Sequence, residues 1–281
     1  MSNDAPSPPT RWACLLVAAI LAAAVALLYV RPGETDELFA WTIAPEITPL
    51  FMGAAYGAGA YFFWRGFGTT RWHRISAGFP GIALFATLML IATLIHWDRF
   101  NQGDAPTMAA ISFYAWVLVY IASPLLIGGL WLRNRNADDG SPETADAEVP
   151  EPVRRTVAVG GGAAMLAAAV FFVAPDVLIE IWPWDLTPLT ARVISAFIAE
   201  AGAIALVLAL DPRWSRWRIL TQTSGIGSAL LAVALARSWG DLDQGNPLTW
   251  ALLAAIACTF AGAIALTLRL DGLAKPGEAH A

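Results

Sequence analysis

Apolar residues in this chain gather into long unbroken blocks separated by short polar stretches. The blocks run over 12–30, 48–64, 78–97, 108–132, 156–174, 188–210, 219–237 and 248–268. Each has the length a helix needs to cross roughly 30 Å of hydrocarbon. Membrane strands would read as short alternating segments, and these blocks do not alternate. The pattern predicts an all-α integral membrane protein with eight transmembrane helices. A helix satisfies its own backbone N–H and C=O groups, which lipid cannot do. Arg11 and the small residues Ala22, Ala24 and Ala26 give the first block some likeness to a signal peptide. Its apolar core is long, however, and 156–174 is its equivalent further on, so it is read as a helix.

The polar landmarks between blocks occur twice. Glu46-Ile47-Thr48-Pro49-Leu50 returns as Asp185-Leu186-Thr187-Pro188-Leu189, and Arg71-Trp72-His73-Arg74 returns as Arg213-Trp214-Ser215-Arg216. Trp97, Gln102-Gly103 and Pro106 return as Trp239, Gln244-Gly245 and Pro247. Three landmarks in the same order imply a tandem duplication of a four-helix unit. Four crossings return the chain to its starting side, so the two copies enter with the same orientation, as a parallel repeat. The expected organisation is a first repeat over 1–132, a linker over 133–155, a second repeat over 156–270 and a tail over 271–281. The centre of the linker, from Asp138 to Pro152, is acidic and proline-bearing, a composition expected to stay flexible.

Charge sets the orientation. The odd loops carry Arg31 and Arg99 as their only basic residues, with acids that include Glu46, Asp98, Asp104, Asp185, Asp241 and Asp243. Thirteen basic residues, among them Arg71, Arg74, Arg213, Arg216 and Lys275, lie on the other side. Positive charge marks the cytoplasmic face, so both termini are placed there. Of the 13 tryptophans, all but Trp116 fall near a predicted helix end, as an interfacial belt requires.

Composition agrees with the pattern. Charged residues make up 14% of the chain and apolar ones 57%, with mean hydropathy +0.57. A soluble domain carries about 25% charged residues. Lysine occurs once, at Lys275, among 17 basic residues. That usage and the abundant alanine suit a GC-rich bacterial genome, and hence a bacterial inner membrane. Cys14 and Cys258 sit in separate apolar blocks at different depths, so no disulfide is expected.

Local signals refine the helices. Thr48-Pro49 and Thr187-Pro188 read as N-cap followed by proline at the first helical position. The segments 34–41 and 176–182 are expected to lie along the outer interface as short amphipathic pieces. Gly53, Gly57 and Gly59, then Gly160 to Gly162, Gly202, Gly225, Gly227 and Gly262, mark close helix contacts. Pro124 is expected to kink the fourth helix.

Intramembrane ionisable residues are few. Glu200 sits near the middle of the sixth helix, at a position whose first-repeat counterpart is Tyr61. Acids at that depth are costly and usually have a role. Thr221, Ser224, Gly225 and Ser228 form a small polar stripe on the seventh helix, with Thr259 on the eighth at a similar level. The candidate polar site is therefore Glu200, Ser228 and Thr259, between helices six, seven and eight: either a polar passage, or a protonated Glu200 bonded to Ser228 or Thr259 that only holds the helices together. Arg192, Arg237 and His96 stand nearer the outer surface. Either these three snorkel to water or they receive an anionic group.

The chain shows no metal-ligand spacing, no glycine-rich phosphate loop, no nucleophile elbow and no facing histidine pair for haem. No cofactor, metal or nucleic-acid partner is expected. The lipid bilayer is the expected partner, with helix-packing partners or a homo-oligomer left open. Two function classes follow. One is a transporter or channel-like protein for a small solute or a lipid, with Glu200 at its polar site. The other is a non-catalytic membrane subunit or scaffold, which the scarcity of polar groups favours.

Overall fold

The computed structural model describes residues 4–103 and 105–274. Asp104, Lys275, His280 and the expected tail beyond 274 lie outside the described residues. Among the described residues the chain forms eight long helices joined by turns and short helical pieces. They are α1 (Pro8–Val25), α2 (Ile47–Gly68), α3 (Gly78–Ile95), α4 (Thr107–Asn134), α5 (Glu151–Val173), α6 (Pro188–Ala209), α7 (Trp214–Arg237) and α8 (Pro247–Leu273). Each contains one of the predicted apolar blocks, or all but its last few residues. Seven are long and apolar enough to cross a membrane, so this is an all-helical membrane protein. The exception is α2, whose 22 residues include five glycines, two tyrosines and Arg65.

Burial sorts the helices into two layers. In α3, α6 and α7 the most apolar stretch is 44%, 44% and 39% buried, whereas the corresponding stretches of α1, α4, α5 and α8 reach only 17%, 22%, 11% and 11%. Half of α2 is buried, so it joins the inner set. The outer helices point Trp12, Leu125, Val159 and Leu268 away from the bundle. Lipid-facing helices need no polar face, because hydrocarbon solvates them directly.

The packing is organised in matched pairs. Helix α1 lies against α2 as α5 lies against α6, and α3 against α4 as α7 against α8. The inner helices then cross-pair, α2 with α7 and α3 with α6. Two seams thus hold the molecule together.

Helix starts follow local chemistry. Thr187 caps α6, its hydroxyl accepting from the Thr190 N–H while Thr190 reaches back to the Thr187 N–H. Thr48 does not act this way. Helix α2 begins one residue earlier, the Ile47 N–H donates to Asp241 at 3.2 Å, and the Thr48 hydroxyl accepts from the Trp184 indole at 2.9 Å. The cap of α2 therefore comes from a distant loop, which spacing within the chain does not reveal.

The two short outer pieces also differ from each other. Residues 175–181 form a helix, while the first piece is helical only over Thr35–Leu38 and then turns inward. Phe39, Ala40 and Trp41 are buried there, with the Trp41 and Trp116 rings 4.8 Å apart and near-perpendicular. Trp116, the tryptophan outside the expected belt, donates to the Thr93 hydroxyl at 2.9 Å. Edge-to-face contacts of this kind add about 0.5–1.5 kcal/mol each beyond burial. Helix α4 continues through Pro124.

Glycine decides one crossing. A Cβ on Gly161 of α5 would stand 3.0 Å from the Gly202 carbonyl oxygen, and one on Gly202 of α6 would stand 2.9 Å from the Gly161 oxygen. Backbone meets backbone here, so the helices would have to separate. Gly202→Val is expected to destabilise the protein by about 1–3 kcal/mol. Gly162→Ala, with nothing within 4 Å, should leave stability unchanged. Thermal unfolding in detergent, read by a thiol-reactive dye on buried Cys14 in a Cys258→Ser background, checks both.

Candidate functional site

The landmark Arg71-Trp72-His73-Arg74 opens the turn before α3, and Arg213-Trp214-Ser215-Arg216 opens α7. The fold brings the two together at the basic end of the bundle, where His73 Nε2 lies 3.0 Å from the Ser215 hydroxyl. Each landmark is capped by an aspartate from ahead of an outer helix. The His73 N–H donates to Asp4 at 3.1 Å, and the Ser215 N–H donates to Asp146 at 2.9 Å. Trp72 N–H reaches the Asp4 carbonyl and Trp214 N–H the Ala147 carbonyl, both at 2.8 Å. Asp4 and Asp146 are as far apart in sequence as Arg71 and Arg213. The duplicated pattern thus extends to the segments that precede α1 and α5.

Acids of the segment 133–155 join these contacts. Arg213 grips Asp138 and Asp211, each at 2.6 Å, and Arg216 reaches the same two acids at 3.3 and 3.4 Å. Arg74 holds Glu143 through two hydrogen bonds of 2.7 and 2.6 Å. Partial burial alone would raise the Asp138 carboxyl. Hydrogen bonds from Arg213 and the Gly140 N–H outweigh it and hold Asp138 down at about 2. Glu143 and Asp211 are likewise lowered, the first by Arg74 and the second by Arg213, against the same burial effect.

Two chemical readings of this cluster fail on its own geometry. Asp4, His73 and Ser215 stand in the order of a carboxylate, imidazole and hydroxyl relay. The Ser215 hydroxyl, however, gives its single proton to Asp146 at 2.5 Å, so it is not presented to His73 as a nucleophile. Ligand atoms of Asp4, His73 and Asp138 lie within 4.8 Å of one another. Both Asp138 oxygens already accept from Arg213, and a metal would have to displace that guanidinium.

Beside the cluster opens a cavity of about 650 Å³. Its walls combine Trp64 and Phe67 with Arg65, Ser215, Arg218 and Asp271. Arg65 links the cavity to the α2–α7 seam. Its Nη1 donates to the Tyr61 hydroxyl and to Gln222 at 2.8 Å, and Tyr61 donates to Gln222 at 2.8 Å. Buried Thr221 and Ser228 lie on another face of α7, with Gly225, which meets Ala263 of α8.

Glu200 occupies the other seam. Its backbone meets Gly81 of α3, with 2.8 Å left for a Cβ. Its half-buried carboxyl has no hydrogen bond or ion pair among the described residues. The buried Tyr56 and Tyr120 hydroxyls share a 2.9 Å hydrogen bond.

The six residues singled out from sequence do not converge. Helix α6 packs chiefly on α5 and α3, so Glu200 makes no bond to Ser228 on α7. Thr259 faces outward on α8 and donates to its own helix at Ala255. Arg192 donates to His96 Nε2 at 2.8 Å, which requires a bare ring nitrogen there. Arg237 donates to the Tyr29 carbonyl at 2.6 Å and lies over the Tyr29 ring. That carbonyl sits in the π-helical turn Ala26–Val30 ending the first membrane segment. Arg65, Gln222, His73 and Asp4 were not singled out as site residues. One signal was available: Arg65 falls four residues after Tyr61, one turn along the same helix face.

No protein-family model, curated protein or solved structure matches this chain.

The lowered carboxyls set a direction for pH. Their folded-state values lie below the ordinary carboxylate range, so their pairs contribute fully above it and are lost as pH falls. The thermal midpoint in detergent is expected to hold from neutrality down to about pH 5 and then fall toward about pH 2. Asp138→Asn should lower the midpoint near neutrality and converge with wild type at the acid end.

Proposed function

We propose that the protein is a multi-pass transporter or channel-like protein of a bacterial inner membrane, acting on a small solute or a lipid. It consists of two parallel four-helix repeats, 1–132 and 156–270, joined by 133–155. All eight helices cross the bilayer, α2 included, with the basic end and both termini in the cytoplasm. The matched helix pairings support the repeat. The paired caps Asp4 with His73 and Asp146 with Ser215 support it as well. Thirteen basic residues against two support the orientation.

The observation that carries the transport reading is where the intramembrane polar groups lie. Arg65, Tyr61 and Gln222 line one seam between the repeats, next to the cavity, and Glu200 stands unpartnered in the other. A transporter of parallel repeats places its route at the interface between them.

The alternative is a non-catalytic subunit or scaffold. Arg192 and Arg237 favour it, since each reaches an internal partner, His96 Nε2 and the Tyr29 carbonyl.

Reconstituted vesicles separate the two readings. The transport reading expects protein-containing vesicles to exceed empty ones in translocation of a fluorescent phospholipid, or in proton leak read by an internal pH dye. Glu200→Gln and Tyr61→Phe should lower that rate by about tenfold, equivalent to 1.4 kcal/mol on the barrier, while eluting normally on gel filtration. Background rates in both assays for wild type, or full rates in both variants, would count against transport through these seams.

A further inference from the structure

We infer that the cavity at the basic end binds the headgroup of a zwitterionic aminophospholipid, with its phosphate on Arg65 and its ammonium on Asp146. This names a ligand for the site proposed above and rests on that reading for its cytoplasmic placement.

Charge balance in the cavity selects the ligand. Its lining includes three cations, Arg65, Arg74 and Arg218, and three acids, Glu143, Asp146 and Asp271. Arg74 and Glu143 close on each other through two hydrogen bonds, and Arg218 reaches Asp271 at 2.7 Å. One charge of each sign is left. Arg65 meets only the neutral Tyr61 and Gln222. Asp146 accepts from the Ser215 N–H and hydroxyl, both neutral donors, and makes no ion pair closer than 4 Å among the described residues, Arg74 lying further off. A cation and an anion without a direct ion pair among the described residues, in one cavity, fit a ligand that carries both charges.

The guanidinium geometry narrows the anion. Both hydrogen bonds of Arg65 use Nη1, so the Nε and Nη2 edge is unused among the described residues. That edge is the fork that takes two oxygens of a phosphate or carboxylate at once. An arginine that only seeks water extends away from the membrane. Arg65 instead bends back one turn toward the helix middle, onto Tyr61, and lines the cavity from there. Its neutral partners hold the fork in place without cancelling its charge.

The cavity wall points to a lipid source. Trp64 is 58% exposed, and Phe67 beside it has its ring centroid 6.2 Å away. These rings stand at a helix end at the depth where a membrane protein presents aromatics to headgroups. A phosphodiester seated on Arg65 would leave its glycerol and acyl chains along this apolar wall. On the opposite side, a primary ammonium has N–H groups to donate to Asp146. A quaternary choline has none.

Native mass spectrometry of the purified full-length protein tests this, with defined short-chain lipids added to delipidated samples. Phosphatidylethanolamine should be retained over phosphatidylglycerol and phosphatidylcholine. Arg65→Gln should weaken its retention by about tenfold or more, as loss of a charged hydrogen-bonded contact implies. Arg65→Lys, which keeps the charge and loses the fork, should fall between. Asp146→Asn, which can still accept from Ser215, should erase the preference over phosphatidylglycerol. Equal retention by wild type and Arg65→Gln would overturn the proposal. So would displacement by soluble phosphoethanolamine or inorganic phosphate at matched concentration, which would assign the site to a soluble ligand. Background rates in the vesicle assays with this retention pattern intact would remove the transport reading and leave the headgroup site standing.

Discussion

Arg213 held between Asp138 and Asp211 is the interaction on which the arrangement depends. In lipid, helices gain little by hiding apolar faces from one another, because acyl chains are as apolar as leucine. Directional polar contacts and close backbone approach must then choose the partners. Arg213 is the N-cap residue of α7, Asp211 lies just after α6, and Asp138 belongs to the segment between the two halves. One guanidinium therefore fixes the start of an inner helix, the end of another and the path of the connection. Arg74 with Glu143, and His73 with Asp4, anchor the start of α3 in the same way.

Around that knot the architecture is nearly symmetric and the chemistry is not. By the spacing of the landmarks, Glu200 stands where Tyr61 stands in the other half, Ile204 answers to Arg65, and Pro80 answers to Gln222. One seam therefore has a cation with neutral polar partners beside a cavity. The other has a lone carboxyl among phenols and aromatic rings, with Phe85 and Phe197 at 4.6 Å. The matched pairings give the two halves a common frame, and unlike residues at matched positions make the seams differ.

Much of the frame was legible because it rests on local rules. Block length gives the helices, Thr187-Pro188 gives a real cap, and Gly161 and Gly202 mark a crossing where Cβ atoms do not fit. The candidate site was less legible. Glu200 was paired with Ser228 and Thr259 by depth alone, and depth does not say which helices are neighbours. Once α6 pairs with α3, the acid falls on that seam, while the polar stripe lies on the α7 face toward α8, where Gly225 meets Ala263. Acids in 133–155 read as a solvated tether because their composition is that of one. Their partners, Arg74 and Arg213, lie about 70 residues away in the chain.

The sequence by itself determined the class of protein, the helices and the doubled pattern of landmarks, since hydrocarbon thickness and turn chemistry act within a few consecutive residues. Tertiary structure alone decided that His73 meets Ser215, that Asp241 caps a helix from the other half, and that Arg65 keeps its outer edge free beside a cavity. Those outcomes depend on which helix lies beside which, and that choice is made by contacts between residues far apart in the chain.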